Sequence, residues 1–262
     1  MLKKILIILF FVCILPKVSF CEEEKWQQQN SAHFIIYYKE APEDFINEVI
    51  ESAEDYYQKI TRDLGFTRYE YWMWEDRAKI YIYKDSEDYH SASGKPSWAS
   101  GHAEYEKKII YTYPLAWGFF DTLLPHELGH IIFREFVGFK NNNVPLWLDE
   151  GVACYQERTR RWGSEKEVRK SIEEKKFIPL LELTEIKSLS DFDDAKVELF
   201  YNESVSAVSF LINNYGKYNF VRFCKELKDN NSLDKAIDSA YARFDNLKEL
   251  NDVWYKYLTT NE

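Results

Sequence analysis

Apolar and polar positions change their spacing several times along the chain, and each change predicts an element. His33-Phe34-Ile35-Ile36-Tyr37-Tyr38 is apolar on both faces, as in a strand covered on both sides, and follows a patternless polar stretch from Glu22 to Ser31. Pro42, Glu43 and Asp44 then open a helix that runs to about Asp63, with Gly65 as its stop. Strand spacing returns over Ala78 to Tyr83 and over Ile109 to Tyr113, and Ser91 to Pro96 reads as a loop between them. From Ala116 onward the spacing is helical. Phe119, Phe120, Leu123 and Leu124 lead into Ile131, Ile132, Phe133, Phe136 and Val137, which Gly138 and three asparagines stop. Pro145 starts the next helix, Gly216 ends one begun near Tyr201, and Ser164-x-x-Glu167 and Asn246-x-x-Glu249 have the form of capping boxes. The pattern predicts an α+β chain: a small N-terminal mixed sheet with one helix, followed by a mostly helical C-terminal part.

The first residues depart from this plan. Lys3 and Lys4 precede an apolar run from Ile5 to Leu15, then Pro16 and small polar residues, which is the layout of a signal peptide. Eleven apolar residues rise only about 16 Å as a helix, roughly half the hydrocarbon thickness, so removal after export is expected rather than a membrane span. Cleavage after Cys21 fits best, and a lipid anchor on Cys21 is poorly supported because Phe20 is bulky where such sites want a small residue. The expected organisation is a leader over 1–21, a polar segment over 22–31 and one domain over 32–262, with a sheet lobe to about 115 and a helical lobe beyond. The net charge of −10 becomes −13 once Lys3, Lys4 and Lys17 are removed. Such a surface argues against nucleic acid or anionic lipid as a partner. Cys154 and Cys224 remain in the body, where an exported location permits but does not require pairing, and no Cys-x-x-Cys spacing exists for a cysteine metal site.

The chemistry is concentrated in Leu124-Pro125-His126-Glu127-Leu128-Gly129-His130. Residues four apart share a helix face at about 5–6 Å, so both imidazoles can reach one zinc ion, one per chain. Glu127 points aside, where it can take a proton from water without binding the metal. Two satisfied histidines on a core helix are the bland alternative. A catalytic zinc needs a third protein ligand and an open position. Pro145-Leu146-Trp147-Leu148-Asp149-Glu150-Gly151 supplies one: a helix running about 10 Å past His130, a turn at 138–144, and a return of about 9 Å bring Glu150 level with the histidines. Gly151 would let the two helices approach closely.

His126-Glu127-x-x-His130 with Trp147-Leu148-x-Glu150-Gly151 resembles the gluzincin metallopeptidases, and within them the peptidase MA-like domains of exported bacterial proteins. The resemblance implies a zincin-like fold, zinc held by His126, His130 and Glu150, and Glu127 as general base. It also implies a Tyr or His from a later helix that steadies the oxyanion, for which Tyr201 in Phe200-Tyr201-Asn202-Glu203-Ser204 is the choice, and a peptide strand paired with a sheet edge near Trp98 to Glu104. Where thermolysin-like enzymes place an aspartate four residues after the ligand glutamate, this chain has Cys154, so another acceptor must hold that imidazole. Asp149 is one candidate, although a solvated acid at a helix start is the commoner role for such a residue. His33, His90 and His102 are expected to be ordinary surface or strand histidines.

The expected function is zinc-dependent hydrolysis of peptide bonds in a peptide or protein substrate, with endopeptidase action favoured because no anchor for a free amino terminus is recognisable. Two other classes remain: a non-catalytic zinc-stabilised surface or adaptor domain, and an interaction module built on the aromatic N-terminal half. Glu127, which a structural zinc site does not need, favours the enzyme.

Overall fold

The computed structural model describes residues 25–66 and 72–260, so the expected leader, with Cys13 and Cys21, lies outside the described residues. The chain begins with β1 (Gln27–Asn30), β2 (Phe34–Tyr38) and α1 (Glu43–Leu64), then β3 (Ala78–Ile82), α2 (Ser86–Ser93), β4 (Gly101–Glu104) and β5 (Ile109–Thr112). The helical part holds α3 (Leu124–Val137), entered through a π-turn at Phe119–Leu123, then α4 (Leu146–Cys154), α5 (Arg158–Glu173) and α6 (Leu180–Glu185). It closes with α7 (Asp194–Lys228), α8 (Leu233–Ala240) and α9 (Leu247–Thr260). This is the expected α+β architecture.

The sheet order is β1-β2-β3-β5-β4. β2, β3 and β5 run parallel, while β1 and β4 are antiparallel to their neighbours and form the two edges. Period-two alternation puts Phe34, Ile36, Ile80, Ile82 and Ile110 on the inner face, each fully buried. Helix α1 covers that face with Ile46, Val49, Ala53, Tyr57, Ile60 and Leu64, spaced three and four apart. Gly65, at φ 80, supplies the left-handed residue that ends α1.

Three elements differ from the sequence pattern. The polar stretch contributes β1, whose ladder to β2 is a backbone pairing that side-chain hydropathy does not report. Ser91–Ser93 close helix α2 instead of belonging to the loop, and Gly94 ends it at φ 65. Ser164 lies inside α5 and caps nothing; the helix begins six residues earlier, at Arg158. Asn246 does cap α9, accepting from the Glu249 N–H at 2.9 Å. Gly216 breaks α7 with φ 84 and ψ 154.

Helix α4 packs between α3 and α7, and Trp147, Leu148, Gly151, Val152, Ala153 and Cys154 are all buried. A helix buried nearly all round cannot leave its acids to water, so Asp149 and Glu150 need partners inside the protein. Close approach uses two glycines. A Cβ on Gly129 would sit 2.9 Å from Ala153 Cα, so this residue sets the α3–α4 contact. Gly151 instead faces α7, where a Cβ would lie 2.5 Å from the Ser204 carbonyl oxygen. Cys154 and Cys224 are both buried and free.

Glu203 on α7 is fully buried, with Oε1 accepting from the Ile178 N–H at 3.0 Å and the Ser171 hydroxyl at 3.4 Å, while Oε2 has no partner. Burial pushes this carboxyl up to about 8, against those two donors. In the unfolded chain it ionises near the ordinary 4.5. The unfolded state therefore sheds this proton first, and stability present below pH 4.5 is lost as pH rises through 8. Glu203→Gln should flatten the fall in melting temperature over that range, measured by thermal denaturation across pH.

Candidate metal centre and cleft

His126 and His130 stand one turn apart near the start of α3, where Pro125 occupies the first turn. Their Nε2 atoms are 3.1 Å apart. Glu150 comes back on α4 with Oε2 at 3.6 Å from His126 Nε2 and 3.4 Å from His130 Nε2. Zinc bonds of about 2.0–2.1 Å in a tetrahedron set donors about 3.3 Å apart, and the three separations bracket that value. Two imidazoles and a carboxylate are also the donor types zinc takes, so these residues fit the ion. The helical hairpin expected from the sequence brings the three together.

Each histidine is held from behind by a carboxylate, and each carboxylate by an arginine. His130 Nδ1 meets Asp149 Oδ1 at 3.0 Å, and Arg134 grips Asp149 Oδ2 through Nε at 2.9 Å and NH2 at 2.8 Å. His126 Nδ1 meets Glu157 Oε1 at 2.7 Å, with Arg160 Nε 3.4 Å from Glu157 Oε2. Such partners fix the ring orientation and raise ligand basicity. Asp149 is thus a buried partner of His130, not a solvated helix-start acid. Glu157 is the acceptor that the Cys154 substitution calls for. Sequence spacing does not point to it, because α4 ends at Cys154 and helical periodicity no longer applies beyond it.

The field follows from this geometry. Burial alone would lower the His126 pKa, yet hydrogen bonds with Cys154, Glu150 and Glu157 raise it well above the ordinary value. His130 is pushed up to about 9, with Asp149 and Glu150 overcoming burial. Burial would raise the carboxyl of Glu150, but the two histidines hold it well below the usual range. Three carboxylates around two imidazoles make a pocket that holds positive charge, either protons or a metal ion. A second grouping, His126 with Cys154 and Glu157, shares the first histidine. Its members are otherwise engaged: Glu157 pairs with Arg160, and burial pushes the Cys154 thiol up to about 11.

Glu127 and Tyr201 line the same cavity as His126. Glu127 Oε2 is buried and makes no hydrogen bond, and the residue is one of those that line this cavity. The Tyr201 ring lies 5.3 Å from the Arg160 guanidinium, and burial, followed by the Glu150 charge, pushes its hydroxyl up to about 12, so it stays a proton donor. Tyr105 stacks on His130 at 4.8 Å. Burial and then Glu127 raise its pKa far above the ordinary value. Its place just after β4, in a chain with nineteen tyrosines, carries no sequence signal. The remaining histidines lie elsewhere: His33 pairs with Glu54 at 2.6 Å, His102 with the Tyr89 hydroxyl at 2.9 Å, and His90 packs on Tyr89.

Removing either backing carboxylate should loosen the metal without removing a ligand. Glu157→Gln and Asp149→Asn are each expected to cost about 10–100-fold in zinc affinity, measured by competition with a chromogenic chelator. Because both imidazoles bind protons tightly, zinc uptake at pH 7.5 should release protons, and affinity should fall steadily as pH drops. Calorimetry in buffers of different ionisation enthalpy measures that release.

A search of the curated proteins finds no match. The family model of the peptidase MA superfamily matches residues 72–260, which covers β3 to α9 and with them every residue of the donor triad. With that match over most of its length, and with the sheet, helical hairpin and donor set described above, the chain belongs to the peptidase MA superfamily as a gluzincin-like domain.

Proposed function

We propose that this protein is an exported zinc metallopeptidase that cleaves peptide bonds, with His126, His130 and Glu150 as ligands and Glu127 as general base. The observation that carries it is the Glu127 oxygen, buried, unpartnered and in one cavity with His126. A zinc site that only stabilised a fold would gain nothing from an unsatisfied carboxylate there, since such a group costs stability.

When bound, zinc supplies the Lewis acidity that makes water a nucleophile near neutral pH. Glu127 takes the proton from that water and returns it to the leaving amine. The Tyr201 hydroxyl donates to the substrate oxygen as negative charge builds on it. Glu157 with Arg160, and Asp149 with Arg134, keep the two imidazoles aimed. The outer edge of β4 offers free backbone groups to an extended peptide, which β-strand addition would hold by main-chain hydrogen bonds. Export rests on the leader-like layout of residues 1–21, and sequencing the N-terminus of secreted protein tests it. Among the described residues no helix is long and apolar enough to cross a membrane.

Glu127→Gln should keep about one zinc per chain and lose peptide cleavage by about 10²–10⁴-fold. Metal analysis beside a quenched-fluorescence peptide assay reads both quantities. Full activity in that variant would remove Glu127 from the mechanism.

A further inference from the structure

The cavity beside the donor triad has walls and a floor of opposite character. Its volume is about 320 Å³, and Trp98, Trp117 and Leu123 form apolar walls above a floor of Glu157, Arg160 and Tyr201. The two indoles remain 82% and 87% exposed, an unusual amount of large apolar surface to leave in water beside a polar site. The turn that carries Trp117 has left-handed residues on either side, Leu115 at φ 63 and Gly118 at φ 69, and stands the indole at the cavity mouth. Leu115 is not a glycine and is itself 93% exposed, so the strain there is not repaid by burial within the chain. Gly101 fits the wall closely: a Cβ there would lie 2.5 Å from the Tyr111 carbonyl oxygen and 2.9 Å from Leu123 Cδ1.

The floor does not select a charged group. Arg160 is bound by both Glu157 and Glu198, at 3.4 and 2.9 Å, so no positive charge is spare for an acidic side chain or a chain-terminal carboxylate. Glu157 is in turn occupied by His126 and Arg160, so the floor offers no free carboxylate to a lysine or arginine, and Glu127, the other acid on this cavity, is the group assigned to the reacting water. The second cavity is larger, about 640 Å³, touches none of the three donors, and mixes Arg134, Asn141, Asn142 and Lys187 with apolar groups. Strand β4 connects the two, with Gly101 on the first cavity and Glu104 leading to Tyr105 on the second.

Resting on the peptidase reading, we infer that the Trp98–Trp117–Leu123 cavity is a specificity subsite that takes a bulky apolar side chain, aromatic or branched, from the residue on one side of the scissile bond. The occupant is the substrate peptide itself, because the cavity opens onto His126 and Glu127 and is continuous with the free edge of β4. Covering the two indoles removes apolar surface from water only when a large apolar group enters, and an alanine or a charged residue does not achieve it.

Peptides varied at each position flanking the cleaved bond test this. At one flanking position, phenylalanine or leucine should give at least about tenfold higher kcat/KM than alanine or aspartate, as a fitted apolar pocket does. The double variant Trp98→Ala, Trp117→Ala should bring that ratio to within about threefold, while Trp162→Ala, an exposed indole away from the cleft, should leave it as it was. Binding gives an independent readout. Zinc-loaded Glu127→Gln, titrated by tryptophan fluorescence, should hold the phenylalanine peptide about tenfold more tightly than its alanine counterpart. Cleavage without such a preference, or a preference unmoved by the tryptophan variants, overturns the subsite and leaves hydrolysis standing. Selective binding by a protein whose wild type cleaves nothing does the reverse, and absence of both sinks the two readings together.

Discussion

Two imidazole nitrogens and one carboxylate oxygen, drawn to within 3.6 Å of one another inside the protein, are the constraint around which the rest is arranged. Such a cluster is costly without a cation, and the chain stabilises it by surrounding it with further charge. Asp149 and Glu157 favour positive charge on the rings, and Arg134 and Arg160 in turn keep those two carboxylates from being buried unpaired. The result is two carboxylate–arginine props, one behind each histidine. A change to any prop would reach a bound ion through ring orientation, not through loss of a ligand.

Packing carries the same constraint outward. Glu150 meets the histidines only if α4 lies tight against α3, and Gly129 against Ala153 makes that approach possible. Gly151 does the same toward α7, the helix that brings Tyr201 to the cleft. The sheet contributes from the other side. With α1 beneath its inner face and α3 packed on α1, edge strand β4 stands beside the cavity, and Tyr105 follows it to stack on His130. Buried helices thus set the positions of the charged groups, while the surface turns that carry Trp98 and Trp117 shape what can enter.

Local rules make much of this legible from the residues. Strand and helix spacing gives the order of most elements, because each buries a stripe whose period is set by backbone geometry. His126, Glu127 and His130 can be read because all three sit on one helix, where spacing alone decides which side chains share a face. Glu150 can be read because two short helices and a seven-residue turn leave little freedom for where the chain returns.

The groups that hold the histidines from behind are a different matter. Asp149 looks like an exposed helix-start acid until α3 and α7 bury it, and Glu157 lies past the end of its helix, where no period predicts direction. Tyr105 comes to His130 from a strand hairpin, and Arg160 to Tyr201 from a separate helix. β1 is invisible for a related reason, since its pairing uses backbone groups that every residue carries. The His-Glu-x-x-His pattern and the class of fold can be read from the residues, because they depend on contacts within one helix or one hairpin. What supports that pattern and what lines the cleft come from contacts between segments far apart in the chain, which exist only once the core has packed.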